Sequence, residues 1–437
     1  AAIQQATYPP NMATDENGYR LLVEHLGRSP DSTPEHFANV CKQLGLDAAT
    51  IRPDMKYQEP CVFLGAYANS TKFDERLLDA LPPDDRTRDS AATMLDAKLA
   101  RPWTLEELPM MAPWLEENGP TLDLIGEAVR KPVFHIPLVR QSEDGLLFLT
   151  QLPDIQYMRA FARGLKARAN YHIAKGDLDG AIDDIVTCHR LGRYVGRGAF
   201  YIDLLVGIAF EGIGKSIGIA GSLEQPPTKE QLQRLIAELD GLPPASTVQD
   251  KTLSERLSGL DVIQGLASGK TSWDDCSVYF SEPALRLLLT GADWNVTASR
   301  FNELYDAALV GGGTPPTRQL SVWFAISLLS KRQRSRYVAE ILFGDWSSHG
   351  AIFESDRRRD CLRNMQRITL AMLLYEREHG TLPPAWSVDA QGNPLHSWRV
   401  LLLPYLGHEA LYKKIRLDEP WDSEHNRPFH GEDLAIY

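Results

Sequence analysis

The feature that most constrains this fold is the helical periodicity of residues 155–195, IQYMRAFARGLKARANYHIAKGDLDGAIDDIVTCHRLGRYV. Apolar residues recur there three or four positions apart, which is the spacing that gives a helix one apolar side. We therefore expect two antiparallel helices joined at Gly176-Asp177. The packing face of the second helix is predicted to comprise Ala181, Ile182, Ile185 and Cys188.

This hairpin resembles a tetratricopeptide unit, with Ala169, Gly176 and Ala181 at the small-residue positions where paired helices approach closely. Only about one such unit is recognisable, whereas a solenoid requires three or more. We therefore interpret residues 151–345 as a helical bundle or hairpin domain.

Residues 1–150 are predicted to form a mixed, mostly helical N-terminal region. LLVEHLG, HFANVCKQLGL and RDSAATMLDAKLA each space their apolar residues as a helix does. Two apolar runs, KPVFHIPLV and GLLFLTQL, are rich in β-branched and aromatic residues and predict a small hairpin or an extended clamp.

The segment PTKEQLQRLIAELDGLPP contains the clearest single helix. Thr228 is its predicted N-cap, Gln231 completes a capping box, and Gly241 ends the helix. Further helices are predicted over residues 250–268, 282–290, 298–309 and 319–343.

The residue pattern of the sequence changes after residue 343. GDWSSHGAIFES is interpreted as a linker, and DCLRNMQRITLAMLLYEREHG as a long helix. One side of that helix carries Leu362, Met365, Ile368, Met372 and Tyr375. Short extended segments follow, with a turn at residues 389–393, and Trp386, Trp398 and Trp421 are interpreted as a compact core. The predicted fold is mainly α: a helical-hairpin array followed by a small α+β module.

The charge balance excludes one class of partner. With 58 acidic against 46 basic residues, the net charge is -12, so the protein as a whole repels nucleic acid and anionic membrane surfaces. The longest apolar runs are far shorter than the roughly 20 residues that a membrane span requires. We expect a protein partner, no nucleic acid, and membrane association only through a segment outside this chain.

The stretch AFEGIGKS, residues 209–216, matches a permissive phosphate-loop pattern. Such a loop needs a strand before it, whereas a helical pattern runs on both sides here. Glu211 would also place a negative charge inside the phosphate cradle. We therefore expect a helix whose glycines permit close packing, and no nucleotide.

The stretch LDEPWDSEHNRPFH brings carboxylates and imidazoles together, a combination that suits metal ions. Its candidate ligands are Asp418, Asp422 and His425, although prolines favour an exposed loop with soluble acidic residues. Calcium is the one cofactor considered. No Gly-x-Ser-x-Gly elbow or other catalytic motif is recognisable, which favours a role other than catalysis.

Three phrases carry a family resemblance: CLRNMQRITLAMLLYEREHGTLPPAW, GNPLHSWRVLLLPYL and ALYKKIRLDEPWDSEHNR. The segment from Cys361 to Asn426 resembles the planctomycete domain-of-unknown-function family 1559, whose members look like the pseudopilins of type II secretion. The positions that carry the resemblance are His396, Trp398, Arg399, Pro404, Tyr405, Pro420, Trp421, Asp422 and Asn426.

The resemblance implies a pseudopilin-like module over residues 355–437, a long helix followed by a small β region. It also implies that the module continues past Tyr437, and that Asp418 and Asp422 are calcium candidates as in some pseudopilins. In the family the module usually opens with a membrane-embedded helix, whereas here the polar SDRRRD precedes it. The family has no established catalytic residues.

Three functions stay open at this point. The first is a non-enzymatic, envelope-associated interaction or assembly protein in a periplasm-like compartment. The second is a hydrolase that acts on glycans or peptides, with its site between the N-terminal and helical regions. The third is a cytoplasmic helical scaffold that binds a peptide.

Overall fold

The computed structural model describes residues 13–139, 146, 153–217, 226–271, 292–311, 330–346, 349–432, 434 and 436. Its helices are α1 (Gly18–Leu26), α2 (Pro34–Gln43), α3 (Pro60–Ala68), α4 (Arg88–Lys98), α5 (Met111–Ala128), α6 (Pro153–Ala174), α7 (Leu178–Val195), α8 (Tyr201–Lys215), α9 (Lys229–Asp240), α10 (Val248–Ser268), α11 (Trp294–Gly311), α12 (Lys331–Trp346), α13 (His349–His379), α14 (Trp398–Leu402) and α15 (Glu409–Tyr412). Strands β1 (Trp386–Val388) and β2 (Pro394–Ser397) pair antiparallel. The predicted mainly α fold with a small α+β module is confirmed.

The largest apolar core is shared by the N-terminal helices and the central hairpin. Trp103 and Trp114 are fully buried beside Phe161 of α6 and Phe210 of α8. Both sides of the predicted boundary near residue 150 therefore contribute to one interior. Of the predicted clamp, Val133 forms a parallel bridge with Asn17, and most of GLLFLTQL lies outside the described residues.

The central hairpin forms as its periodicity predicts. Helices α6 and α7 meet at Gly176, whose φ of 76° is the left-handed conformation that glycine adopts most readily. Asp177 caps α7 by accepting a hydrogen bond from the Gly180 amide at 3.0 Å. The four predicted packing residues of α7 are each at most 2 % exposed.

The AFEGIGKS stretch is helical from Ala209 through Lys215, inside α8. A β-carbon at Gly207, two residues before it, would lie 2.5 Å from the carbonyl oxygen of Gly192 and 2.7 Å from the Gly196 Cα. The backbones of α7 and α8 therefore touch, and only glycine permits that approach. The expectation of a close-packed helix in place of a phosphate loop is confirmed.

Helix α9 begins and ends where its capping signals predict. Thr228 and Gln231 form the reciprocal capping box, and Gly241 follows the last turn. The predicted helices over 250–268 and 298–309 correspond to α10 and α11, and α12 covers the end of the one predicted over 319–343. The segment 282–290 lies outside the described residues.

The interpretation of residues 344–355 as a linker is wrong for most of that segment. Helix α12 extends to Trp346, and α13 already begins at His349. Ile352 packs against Tyr201, Leu204 and Val248, so tertiary burial stabilises turns that the Ser-rich and Gly-rich local sequence does not favour.

Helix α13 joins the module to the helical body. Leu370 and Leu374 pack into an apolar cluster with Leu232 and Leu235 of α9. Arg359, 4 % exposed, donates to the Ser246 carbonyl at 2.9 Å. Ion pairs Arg367–Asp240 and Lys229–Glu378 flank the apolar contact. In the part of the chain that the structure describes, no helix is both long and apolar enough to cross a membrane.

We expect Gly207→Ala to destabilise the protein by roughly 1–3 kcal/mol, because the added methyl group meets backbone atoms that cannot move independently. Gly212→Ala on the same helix is the control, since a β-carbon there has no heavy atom within 4 Å. That change should stabilise the helix by up to about 1 kcal/mol. Urea unfolding of both variants measures the difference, and equal stability would contradict the close approach.

Candidate functional site

The module is built around a two-stranded hairpin. Asp389 accepts hydrogen bonds from the Gln391 and Asn393 amides at 2.9 and 2.8 Å, and Gly392 has a φ of 87°. These contacts close the turn predicted at residues 389–393. The hairpin brings β2 against the acidic loop that contains Pro420 and Trp421, and the Trp421 amide donates to the Leu395 carbonyl at 2.9 Å.

Asn426 organises that loop from inside. Its side chain, 3 % exposed, accepts from the Arg416 amide at 3.0 Å and donates to the carbonyls of Arg416 and Pro420 at 2.9 and 3.1 Å. His396, equally buried, places Nε2 3.1 Å from the same Arg416 carbonyl. Two positions of the family signature therefore satisfy loop backbone groups that would otherwise be buried without partners.

An open apolar groove of about 640 Å³ lies beside this loop. Its apolar walls comprise Trp386, Pro394, Leu395, Val400, Leu403, Leu411, Ile415, Trp421, Phe429 and Leu434. His396, Arg399, Asn426 and Glu432 supply polar edges. Trp386 and Trp421 are 58 % and 56 % exposed, so a large aromatic surface faces solvent at the groove.

The interpretation of the three tryptophans as a compact core is wrong for two of them. Trp398 packs with Leu402, Leu406 and Ile368 of α13, as predicted. Trp386 and Trp421 instead lie in the open groove. A two-stranded module with short helices has too little backbone to enclose three indoles, and composition alone does not reveal which will be covered.

The remaining signature positions contact α13 or flank the groove. Tyr405 donates to Glu378 Oε2 at 2.5 Å, and Pro404 lies in the 3₁₀ turn Leu403–Leu406. The Arg399 guanidinium stacks 4.9 Å from the Trp398 ring. The signature thus combines loop architecture, attachment to α13 and one wall of the groove.

The three metal candidates lie in the acidic loop that contains Trp421. Asp418 and Asp422 are exposed, and His425 places Nε2 3.0 Å from the Lys414 carbonyl. Among the residues that the structure describes, no three His, Cys, Asp or Glu side chains are gathered to hold a metal ion. Calcium binding stays a prediction.

A second cavity, of about 550 Å³, lies between the N-terminal region and the helical body. It is lined by His135, Asp250, Lys251 and Ser254 among others. Asp250 belongs to the capping box of α10, and Lys251 donates to the Gly198 carbonyl at 2.5 Å. The charged side chains of this cavity therefore form hydrogen bonds with backbone groups of the protein itself.

Two buried carboxylates lie next to the α8 N-terminus. Asp203 accepts from the Phe200 amide at 2.9 Å, and Glu255 from the Tyr201 amide at 2.5 Å. Burial raises the pKa of Asp203 to about 6 and that of Glu255 to about 7. Both carboxylates satisfy amides that have no partner inside the helix.

A comparison with known families finds a match in the C-terminal module. Residues 353–435 match the family described as "Protein of unknown function (DUF1559)". The match covers the segment in which the signature residues lie, so the resemblance is confirmed for the C-terminal region. Neither the curated proteins nor the solved structures include one that matches this chain.

The residues that complete the groove were not singled out by sequence. Leu395, Leu411, Ile415 and Phe429 come from separate short segments without a shared period. The detectable signal was the family signature itself, because His396 and Asn426 hold those segments together. The sequence segments that contain the signature therefore indicated where a surface would form. They did not indicate that this surface would be an apolar groove.

Replacing Asn426 by Ala should destabilise the module by roughly 2–3 kcal/mol, because buried backbone groups lose their partners. Glu424→Ala, an exposed neighbour, should change stability by less than about 0.5 kcal/mol. Amide hydrogen exchange at Arg416, which donates to the Asn426 side chain, reports the loss directly. Unchanged protection of that amide in N426A would contradict the role assigned to Asn426.

The free energy of unfolding should decrease as pH rises through the range in which Glu255 loses its proton. Its pKa is 4.5 unfolded and about 7 folded, so between these values the folded state binds more protons. Protonation of Glu255 contributes roughly 3 kcal/mol to the free energy of unfolding. This contribution is complete below pH 4.5 and is lost above about pH 7. Glu255→Gln keeps an acceptor for Tyr201, and its unfolding free energy should depend less on pH than that of the wild type. Parallel curves for both proteins would show that Glu255 ionises normally.

Proposed function

We propose that this chain is a non-enzymatic assembly protein whose C-terminal module joins a second copy of the chain. The observation that carries the proposal is that one module presents two apolar surfaces. One is the groove described above, and the other is an exposed stripe formed by Leu362 and Met365 of α13. The helical body supports the module through α13.

The groove has the character of a protein-binding surface. Exposed apolar patches that are rimmed by polar residues mark interaction sites, and aromatic residues are enriched in them. Here Trp386 and Trp421 flank apolar walls, with Arg399 and Glu432 at the edges. With a net charge of -12, the chain favours a polypeptide over nucleic acid or anionic lipid as the occupant.

The exposed stripe continues an interface that the module already uses. Ile368, Met372 and Tyr375 of α13 pack against the small helices of the module. Met365, one turn earlier, is 58 % exposed, and Leu362, about one further turn earlier, is 50 % exposed. The apolar side of α13 is therefore covered at its C-terminal half and exposed before it.

The stripe of one chain does not fill that chain's own groove. Leu362 and Met365 are half or more exposed, so the module of the same chain leaves them uncovered. In the proposed assembly the two surfaces meet between copies, stripe into groove. Such a heterologous contact repeats from copy to copy and generates a ring or a filament.

The compartment is part of the proposal and rests on the resemblance. Because the family's members look like pseudopilins, we place the protein in the cell envelope. The cytoplasmic scaffold remains the alternative, with the same groove binding a peptide.

The hydrolase alternative has one structural observation in its favour. The cavity of about 550 Å³ lies between the two regions that this alternative required. Its lining residues Asp250 and Lys251 are engaged with Thr247 and the Gly198 carbonyl. Assembly through the module is therefore the better-supported function.

Sedimentation velocity over a range of concentrations tests the assembly. The wild type should self-associate, whereas Trp386→Asp, which damages the groove, and Met365→Asp, which damages the stripe, should each remain monomeric. Val62→Asp is the matched control, because Val62 is 55 % exposed but lies on α3. It should associate as the wild type does.

Mixing the two defective variants separates the proposed geometry from a symmetric one. W386D keeps an intact stripe and M365D an intact groove, so their mixture should form a heterodimer that neither forms alone. A wild type that stays monomeric at every concentration would refute assembly, and a mixture that fails to pair would refute the stripe-to-groove contact.

A further inference from the structure

A small polar pocket lies where the helical body meets α13. Its volume is about 300 Å³, and the body supplies side chains from α7, α8, the end of α9 and the segment after it. Its polar lining comprises His189, Arg193, Glu211, Lys215, Asp240, Arg363, Gln366 and Arg367. Glu211 and Lys215 belong to the AFEGIGKS stretch, so that stretch contributes two charges to the pocket from a helix and not from a loop.

The described lining carries an excess of positive charge. Four cationic side chains face two carboxylates, which leaves a net charge of +2. Burial, with the nearby Lys215 and Arg193, lowers the pKa of His189 to about 3, so the imidazole is neutral. Outside the lining, Asp360 lies 3.7 Å from Arg363 but is half exposed to solvent. This local excess contrasts with the acidic chain as a whole.

Several buried polar atoms in the pocket have no hydrogen-bond partner. They are Nε2 of His189 and Nε of Arg193, which can donate to an anion, and Oε2 of Glu211, which can only accept a hydrogen bond. His189 is 2 % exposed and Arg193 5 %, so bulk water does not satisfy them. Buried polar groups are almost always hydrogen-bonded, so such a group indicates a bound ligand or water.

The existing ion pairs leave Lys215 incompletely satisfied. Arg193 Nε lies 3.2 Å from Glu211, whereas Lys215 Nζ lies 3.9 Å from the same carboxylate and 3.4 Å from the Arg359 carbonyl. Burial lowers the pKa of both Arg193 and Lys215, and neighbouring arginines lower them further. One carboxylate is shared between two buried cations.

Two glycines make room for this arrangement. A β-carbon at Gly214 would lie 2.9 Å from the imidazole ring of His189, and one at Gly192 would lie 3.1 Å from the Glu211 side chain. The helix contact therefore admits a buried imidazole and a buried ion pair side by side.

We propose that this pocket binds a small dianion, specifically a phosphate group, between Lys215 and Arg193 of the body and Arg363 of α13. Arginine offers paired N–H donors that match phosphate geometry, and lysine supplies a point charge. The neutral His189 can donate from Nε2 in one tautomer. A bound dianion would offset the excess charge of the lining.

The location gives the anion a structural consequence. Arg193 and Lys215 belong to the body, whereas Arg363 and Arg367 belong to the helix that carries the module. A phosphate group held by both sets would tighten the attachment of α13. This site is separate from the groove and the stripe, so it goes beyond the proposed assembly and does not rest on it.

Isothermal titration of the full chain with inorganic phosphate, at constant ionic strength, tests the site. The wild type should bind and its thermal midpoint should rise with phosphate, because the ligand binds only the folded state. Lys215→Met and Arg363→Met should each weaken binding at least tenfold. Arg363 is 45 % exposed, so R363M should fold even if K215M does not.

Arg358→Met is the matched control, because Arg358 is a 74 % exposed arginine on the same helix and outside the pocket. R358M should bind phosphate as the wild type does. Absence of phosphate binding by the wild type, or an equal loss in R358M and R363M, would overturn the proposal. Malonate is the second ligand tested, and binding of malonate without phosphate would refute the phosphate assignment.

Discussion

The contact on which the rest of this structure depends is the backbone approach of α7 and α8 at Gly192, Gly196 and Gly207. It sets the distance between the central helices, and the largest core forms around them because Phe210 and Cys188 are carried to its centre. The same approach places the charged residues of α7 opposite those of α8. Packing density and electrostatics at the body–module junction therefore follow from one set of residues without β-carbons.

Helix α13 has two apolar sides with different occupants. Leu370 and Leu374 face the body, and Ile368 and Met372 face the small module. Polar contacts flank the first side: Arg359 donates to the Ser246 carbonyl, and Glu378 pairs with Lys229. The module is therefore attached to the body through its own longest helix.

Local signals made much of the fold predictable. The hairpin at Gly176, the Thr228 capping box and the turn at residues 389–393 depend on neighbours in sequence, and each formed as expected. The start of α13 was missed because Ile352 is buried by distant residues. The groove and the polar pocket were unpredictable for the same reason, since each collects side chains from four or more separate segments and has no period or spacing of its own.

The close approach at Gly207 also bears on how this stretch is recognised in other sequences. A helix pressed against a neighbour selects small residues one turn apart, and an ion pair inside that contact selects a lysine near its end. Together these requirements reproduce Gly-Lys-Ser after a glycine without any phosphate loop. A match to this pattern therefore indicates a phosphate loop only where the residues before it form a strand.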